Sequence, residues 1–215
     1  MPSKMKIVIW SDIVCPFCYI GKRNFEKGLE KFAHKDDVEV EWKSYQLDPT
    51  APKTPNGKSY AQILSDKYGW SLEHAQQNID NMTNMAKDAG LDYQLNHIKR
   101  LNTFELHKII QYAKTKNLGN EIEEVFFKAY FIDALDLSKR EVLIELLAQI
   151  GLTEIEMDEA LSNKIYEDAV HADIQEAQQI GVQGVPFFVF NKRYAISGAQ
   201  APKGFLETLE IAFKE

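Results

Sequence analysis

The chain has 215 residues, 45% of them apolar and 11% aromatic, enough to bury one large core or two modest ones. A formal net charge of −7 with no basic patch argues against nucleic acid and against anionic membrane surfaces as partners. The opening Met1-Pro2-Ser3-Lys4-Met5-Lys6 is followed by only four apolar residues, too short for the apolar region of a signal peptide, and no run elsewhere approaches a membrane span. The chain as given is therefore expected in the cytosol.

Ile7-Val8-Ile9-Trp10 is an apolar run that reads as a buried strand. Helical periodicity begins at Pro16, with apolar or small residues at Ile20, Gly21, Phe25, Gly28, Leu29 and Phe32. Both cysteines of the chain, Cys15 and Cys18, fall at this strand-to-helix junction. The first turn of a helix carries unpaired N–H groups and the positive end of the macrodipole, so a thiolate at Cys15 is favoured there. Pro16 suits the first helical position because its φ is already helical and its missing N–H is not needed. Cys18 lies three residues on, within disulfide reach but further inside the helix, so its sulfur is expected to be the less exposed of the two. This arrangement suits attack by one sulfur and resolution by the other.

Val38-Glu39-Val40-Glu41-Trp42-Lys43-Ser44-Tyr45 alternates with period two and reads as a half-buried strand. Strand, helix, strand over roughly 40 residues is a right-handed βαβ unit with parallel strands. Pro49 to Lys58, with three prolines and Gly57, reads as an exposed linker. From Ser59 to about Ile180 the pattern is almost wholly helical. Helices are expected over Ser59 to Tyr68, Ser71 to Gly90, from the capping-box pattern Asn102-Thr103-Phe104-Glu105, and over Glu121 to Asp133. Others follow from Ser138-Lys139-Arg140-Glu141, from Thr153, and over Lys164 to Gln179. Val185 to Phe190 and Arg193 to Ser197 then read as strands of a tight hairpin through Asn191-Lys192, and Pro202 opens a closing helix.

The expected class is α/β, a thioredoxin-like fold with a large all-helical insertion. Its parts are 1–58 (βαβ), 59–170 (helical insertion) and 171–215 (hairpin and helix). With this order and the motifs Asp12-Ile13-Val14-Cys15-Pro16-Phe17-Cys18-Tyr19-Ile20-Gly21, Gly184-Val185-Pro186-Phe187-Phe188 and Ser197-Gly198-Ala199-Gln200, the chain resembles the DsbA family. Within that family it is most similar to the cytoplasmic FrnE-like branch, near the 2-hydroxychromene-2-carboxylate isomerases and kappa-class glutathione transferases.

The cysteine pair has an alternative as half of a zinc site. The five histidines supply no H-x-x-x-H and there is no second C-x-x-C, so redox chemistry is the better reading. The resemblance implies that Val185-Pro186 is a cis bond packed against the disulfide, with Val185 able to pair with an extended substrate strand. Pro16, Phe17, Val185 and Pro186 thus shape the site around Cys15 and Cys18. The resemblance also makes Asn102, Thr103 and His107 candidates for lining it, although an isolated histidine such as His107 is more often a packing residue. Asp12 precedes Cys15 and is read either as a modifier of the thiol or as a solvated loop residue. The aromatic and methionine stripes of the insert (Met82, Met85, Phe126, Phe127, Tyr130, Phe131) read as core.

These readings point to a thiol-disulfide oxidoreductase of reductase or isomerase type, acting on protein or small-molecule thiols and disulfides. No bound cofactor is expected, with glutathione a candidate reductant. Two alternatives stand beside it. One is a glutathione-dependent isomerase or transferase of the neighbouring branch, where a serine usually occupies the catalytic position. The other is a chaperone-like, client-binding module, which gives no reason for a C-x-x-C at a helix start.

Overall fold

In the computed structural model, which describes residues 4–214, four strands form one mixed sheet in the order β2-β1-β3-β4. The reading of Met1-Pro2-Ser3 lies outside the described residues. Strand β1 (Met5–Ser11) pairs in parallel with β2 (Val38–Ser44), from Met5 opposite Val38 to Ser11 opposite Ser44. Helix α1 (Pro16–Glu30) makes the crossover. Strand β3 (Phe187–Phe190) runs antiparallel to β1 and to β4 (Tyr194–Ser197), and α9 (Pro202–Phe213) closes the chain. This is the sheet that a thioredoxin-like reading requires.

Strand β1 is central, which is why its apolar run is continuous: both faces are covered. Ile7 and Ile9 face Phe25, Phe188, Phe190, Phe205 and Leu209, while Val8 and Trp10 face Ala177 and Val182 on the other side. Phe188 and Phe205 meet edge-on at 4.7 Å, with Phe25 within 6 Å of both. On the opposite face Asp173 of α8 (Lys164–Gln179) ties the strands down. Its carboxylate accepts from the Ser44 N–H at 3.0 Å and pairs with Lys43, and its carbonyl accepts from the Trp10 indole N–H at 3.0 Å.

Helices α1 and α9 approach closely at Gly28. A Cβ added there would lie 2.8 Å from the Pro202 carbonyl oxygen and 2.9 Å from the Phe205 Cβ. Backbone cannot yield as a flexible side chain can, so Gly28→Ala is expected to destabilise the protein by about 1–3 kcal/mol. Its intrinsic helix propensity alone would raise stability by up to about 1 kcal/mol. A urea midpoint that rises in this variant would refute the close-packing account.

The hairpin between β3 and β4 turns at Asn191 and Lys192, with φ of 48° and 59°, and the Arg193 N–H donates to the Phe190 carbonyl at 3.0 Å. Asn191 holds this left-handed turn without glycine because its side chain is anchored at both ends. Its Oδ1 accepts from the Lys6 N–H and its Nδ2 donates to the Ala212 carbonyl.

Two compact units emerge: the chain up to Leu47 together with the chain from Asp168, and Asp48–Glu167 between them. The second unit holds α2 (Tyr60–Tyr68), α3 (Leu72–Ala89), α4 (Phe104–Thr115), α5 (Gly119–Phe131), α6 (Arg140–Ala148) and α7 (Glu154–Ser162). Ser59 and Ser71 cap α2 and α3, which end at Gly69 and Gly90 in the left-handed conformation. Phe126, Phe127, Tyr130 and Phe131 are core, as their stripe suggests.

The unit departs from the sequence reading in four respects. Residues 91–103 are not helical, yet Leu91, Tyr93, Leu95, Ile98 and Leu101 are all buried. This irregular stretch is held by hydrogen bonds from Gln94 N–H to the Phe131 carbonyl and from the Tyr130 hydroxyl to the Lys99 carbonyl. Met85 of α3 is exposed rather than core. The stretch Pro49 to Lys58 is no free linker at its start, because Asn102 donates from its N–H to the Pro52 carbonyl and from its amide to the Pro49 carbonyl. Neither Asn102 nor Ser138 completes the expected capping box. Asn102 Oδ1 accepts the Phe104 N–H instead, and Ser138 turns back to Asp136.

Thr153 does form a capping box with Glu156, whose carboxylate also accepts from the Tyr112 hydroxyl at 3.0 Å. The Thr153 N–H, then its hydroxyl, then Tyr112 hold the Glu156 carboxyl down to about 2. A depressed carboxyl stabilises the fold above its unfolded value of about 4.3 and loses that contribution as pH falls toward its folded value. Urea midpoints of the wild type should thus exceed those of Glu156→Gln at neutral pH, with the gap narrowing between about pH 4.5 and 2. A gap constant down to pH 2 would contradict this.

Candidate active site

The stretch Ser11-Asp12-Ile13-Val14-Cys15 carries the chain from the end of β1 to the start of α1. Cys15 is the N-cap of α1, in extended conformation (φ −88°, ψ 111°), and Pro16 occupies the first turn. The Cys15 N–H donates to the Asp12 carbonyl at 3.0 Å and the Cys18 N–H to the Cys15 carbonyl at 3.0 Å, fixing both thiols to the same turn. Both cysteines are free thiols.

The Cys15 thiol donates to the Val185 carbonyl at 3.3 Å. The Val185–Pro186 peptide is cis, as the resemblance implied. The Gly198 N–H donates to the Pro186 carbonyl at 2.8 Å, and Asn24 of α1 donates to the Gln200 carbonyl at 2.9 Å. The Ser197-Gly198-Ala199-Gln200 motif therefore braces the proline loop, and Gly198 does so at φ 79°, a left-handed conformation suited to glycine. Gly21 serves the same packing, since a Cβ there would lie 2.8 Å from Pro186 Cγ.

The two sulfurs differ, although less in exposure than the sequence suggests. Cys15 keeps 3% of its surface and Cys18 none. What separates them is environment. Burial pushes the Cys18 thiol well above its ordinary value, and the neighbouring Cys15 sulfur adds to the rise; the Asp12 backbone N–H and the Ser11 hydroxyl pull the other way. Cys18 is thereby kept as a thiol behind Cys15.

Asp12 is not a solvated loop residue: it is fully buried, and its carboxylate accepts the Leu47 N–H at 2.8 Å, tying the loop to the end of β2. Phe17 is 37% exposed at the mouth of the turn. Asn102, Thr103 and His107 lie in the helical unit, where Thr103 and His107 are buried and the Asn102 amide is spent on Pro49 and Phe104. Sequence reasoning missed Ser11, and it quoted Gly21 and Gly198 only as parts of motifs, without the packing role each has here. The signal for Ser11 was its odd-numbered place in line with Ile7 and Ile9, which turns it toward α1. Among the described residues no group of three or more His, Cys, Asp or Glu side chains is placed to hold a metal ion, and no helix is long and apolar enough to cross a membrane.

A cysteine N-cap, a second cysteine one turn on and a facing cis-proline loop match a known pattern. The profile of the DSBA-like thioredoxin domain fits residues 6–210. The chain belongs to this DSBA-like family. A probable DsbA oxidoreductase from Streptomyces coelicolor has a crystal structure that superposes with TM-score 0.91 at 38% identity, over 98% of this chain and 91% of that one. The cytosolic disulfide reductase DsbM from Pseudomonas aeruginosa, solved with GSH, shares the fold at TM-score 0.69 and 14% identity, over 98% of this chain and all of its own. The uncharacterised YwbO of Bacillus subtilis is 25% identical over 194 residues, 85% of each chain. As a DSBA-like protein the chain has a thioredoxin fold with a helical insertion and belongs among thiol-disulfide oxidoreductases.

Proposed function

We propose that this protein is a cytosolic dithiol-disulfide oxidoreductase of reductase or isomerase type, working through Cys15 and Cys18 on disulfides of proteins or small thiols. The observation that carries the reading is the placement of Cys15 Sγ at the α1 N-cap, against the Val185 carbonyl, with Cys18 held as a buried thiol behind it. The Cys15 thiolate attacks a client disulfide, forming a mixed disulfide and expelling one client thiol. Cys18 then attacks Cys15 Sγ, which releases the second client thiol and leaves a Cys15–Cys18 disulfide. Backbone groups at Val185 offer an extended client a strand-like edge beside the reacting sulfur. Glutathione is the reductant proposed to restore the dithiol, with no resident cofactor.

Insulin reduction, run beside glutathione conjugation to an electrophile on one preparation, tests this. Reduction without conjugation supports the reading; conjugation without reduction would favour a transferase. The thiol asymmetry has its own measurement. Limiting iodoacetamide at mildly acidic pH should alkylate Cys15 several-fold ahead of Cys18, read by peptide mass spectrometry, because only a thiolate reacts and burial holds Cys18 protonated. Equal labelling would remove the basis for assigning Cys15 the first attack.

A further inference from the structure

Resolution requires something of Cys18 that its surroundings oppose. In the mixed disulfide its sulfur must bond to Cys15 Sγ while the Cys15–client bond breaks. The client sulfur leaves with the electron pair and takes up the proton that Cys18 gives up. A fully buried sulfur that loses a proton has no water to stabilise the resulting charge, so a protein group must do so.

Ser11 is placed for that task. It ends β1 on the same face as Ile7 and Ile9, the face covered by α1, and it is fully buried. Its N–H and carbonyl are spent on strand pairing and on the Tyr45 N–H at 2.9 Å, yet its hydroxyl has no hydrogen-bond partner while both cysteines are thiols. Cys18 stands in the first turn of the helix that covers this face and is fully buried with it, and among the groups acting on its sulfur the Ser11 hydroxyl is one that favours the thiolate. A buried hydroxyl without a partner is unfavourable, and such a group is retained in few places in a folded core.

We propose that Ser11 is a positioning residue for the resolving step: its hydroxyl donates to Cys18 Sγ as the thiolate forms and has no comparable partner while Cys18 is a thiol. The interaction is made only in the charged state, so it lowers the barrier to resolution without stabilising the resting dithiol. Cys15 is the titratable side chain acting on Cys18. Asp12 reaches that sulfur through its backbone N–H, and its carboxylate is held by the Leu47 N–H.

This assignment rests on the oxidoreductase reading, but its test can be separated from it. In a Cys15→Ala background, thiolate absorbance of the lone Cys18 is followed against pH with and without Ser11→Ala. The expected result is a midpoint moved further upward on loss of the hydroxyl; an unmoved midpoint overturns the proposal, whether or not the protein reduces insulin. In the otherwise intact protein, a mixed disulfide with thionitrobenzoate is formed on Cys15 and its release is timed against pH. Ser11→Ala should slow release about tenfold near neutral pH and approach the wild-type rate in alkali, where Cys18 ionises unaided. Slowing by one factor at every pH would mark a merely structural residue and also overturn the proposal. Ser11→Ala removes one oxygen and adds no volume; Ser11→Thr keeps the hydroxyl, and release near the wild-type rate is expected of it. Failure of the wild type to reduce insulin would overturn the oxidoreductase reading alone.

Discussion

Cys15→Ser is expected to abolish insulin reduction, to the uncatalysed background and by a factor on the order of a thousand or more, while Cys18→Ala stops the reaction after its first step. The two outcomes follow from the different positions of the sulfurs. Cys15 caps α1, where the first-turn N–H groups have no partners within the helix and favour a negative charge. A serine hydroxyl there forms no bond to a client sulfur at neutral pH, so nothing downstream can proceed. In Cys18→Ala the nucleophile remains and the resolving thiol is gone. Clients should then accumulate as adducts on Cys15, released by dithiothreitol and visible as added mass on the Cys15 peptide. In Cys15→Ala the remaining thiol is fully buried and held protonated, so few adducts should form. Adducts on Cys18 in that variant at the rate seen on Cys15 would sink the division of roles.

How much of this was readable in advance depended on whether the determining contacts were local. The strand Ile7 to Trp10, the helix from Pro16 and the caps at Ser59, Ser71 and Thr153 are set by neighbours in sequence, and periodicity and capping chemistry found them. The cysteine pair was legible for the same reason. The proline loop became legible only through the family motif, since its partner Gly198 is hydrogen-bonded to it across a hairpin. The start of the segment after Pro49 looked like linker because prolines and a glycine say nothing of Asn102, some fifty residues on, which holds Pro49 and Pro52 in place. Residues 91–101 fall between the helix expected to end at Gly90 and the one expected from Asn102, and their burial was not legible because their backbone is satisfied by partners on α5 and in the loop itself. Ser11 was passed over since its place in line with Ile7 and Ile9 tells which face it takes but not what it meets there. Its meaning lies in what sits across from it on α1.

Phe17→His is expected to move the dithiol toward the oxidising side by about 30–60 mV, the equivalent of one charge-assisted hydrogen bond of about 1.5–3 kcal/mol. Phe17 follows Pro16 in the first turn of α1, beside Cys15, and is 37% exposed, so an imidazole fits there without entering the core. The phenyl ring offers the Cys15 sulfur neither a hydrogen bond nor a charge. An imidazole N–H offers the first in either protonation state and the second when protonated. Both stabilise the thiolate, hence the reduced form, and a reduced form made more stable is a stronger oxidant when oxidised. The wild type should accordingly be a weaker oxidant than DsbA, near −120 mV, whose corresponding residue is a histidine. A glutathione titration reads the change as a shift of roughly 10- to 100-fold in the equilibrium constant. Repeating it at pH 6 and pH 8 separates the contributions. A shift that shrinks at the higher pH is carried by the imidazolium charge, and one that persists is carried by the neutral N–H. A variant that moves toward the reducing side, or a wild type already equal to DsbA, would mean that charge at the α1 N-terminus does not govern the redox balance of this pair.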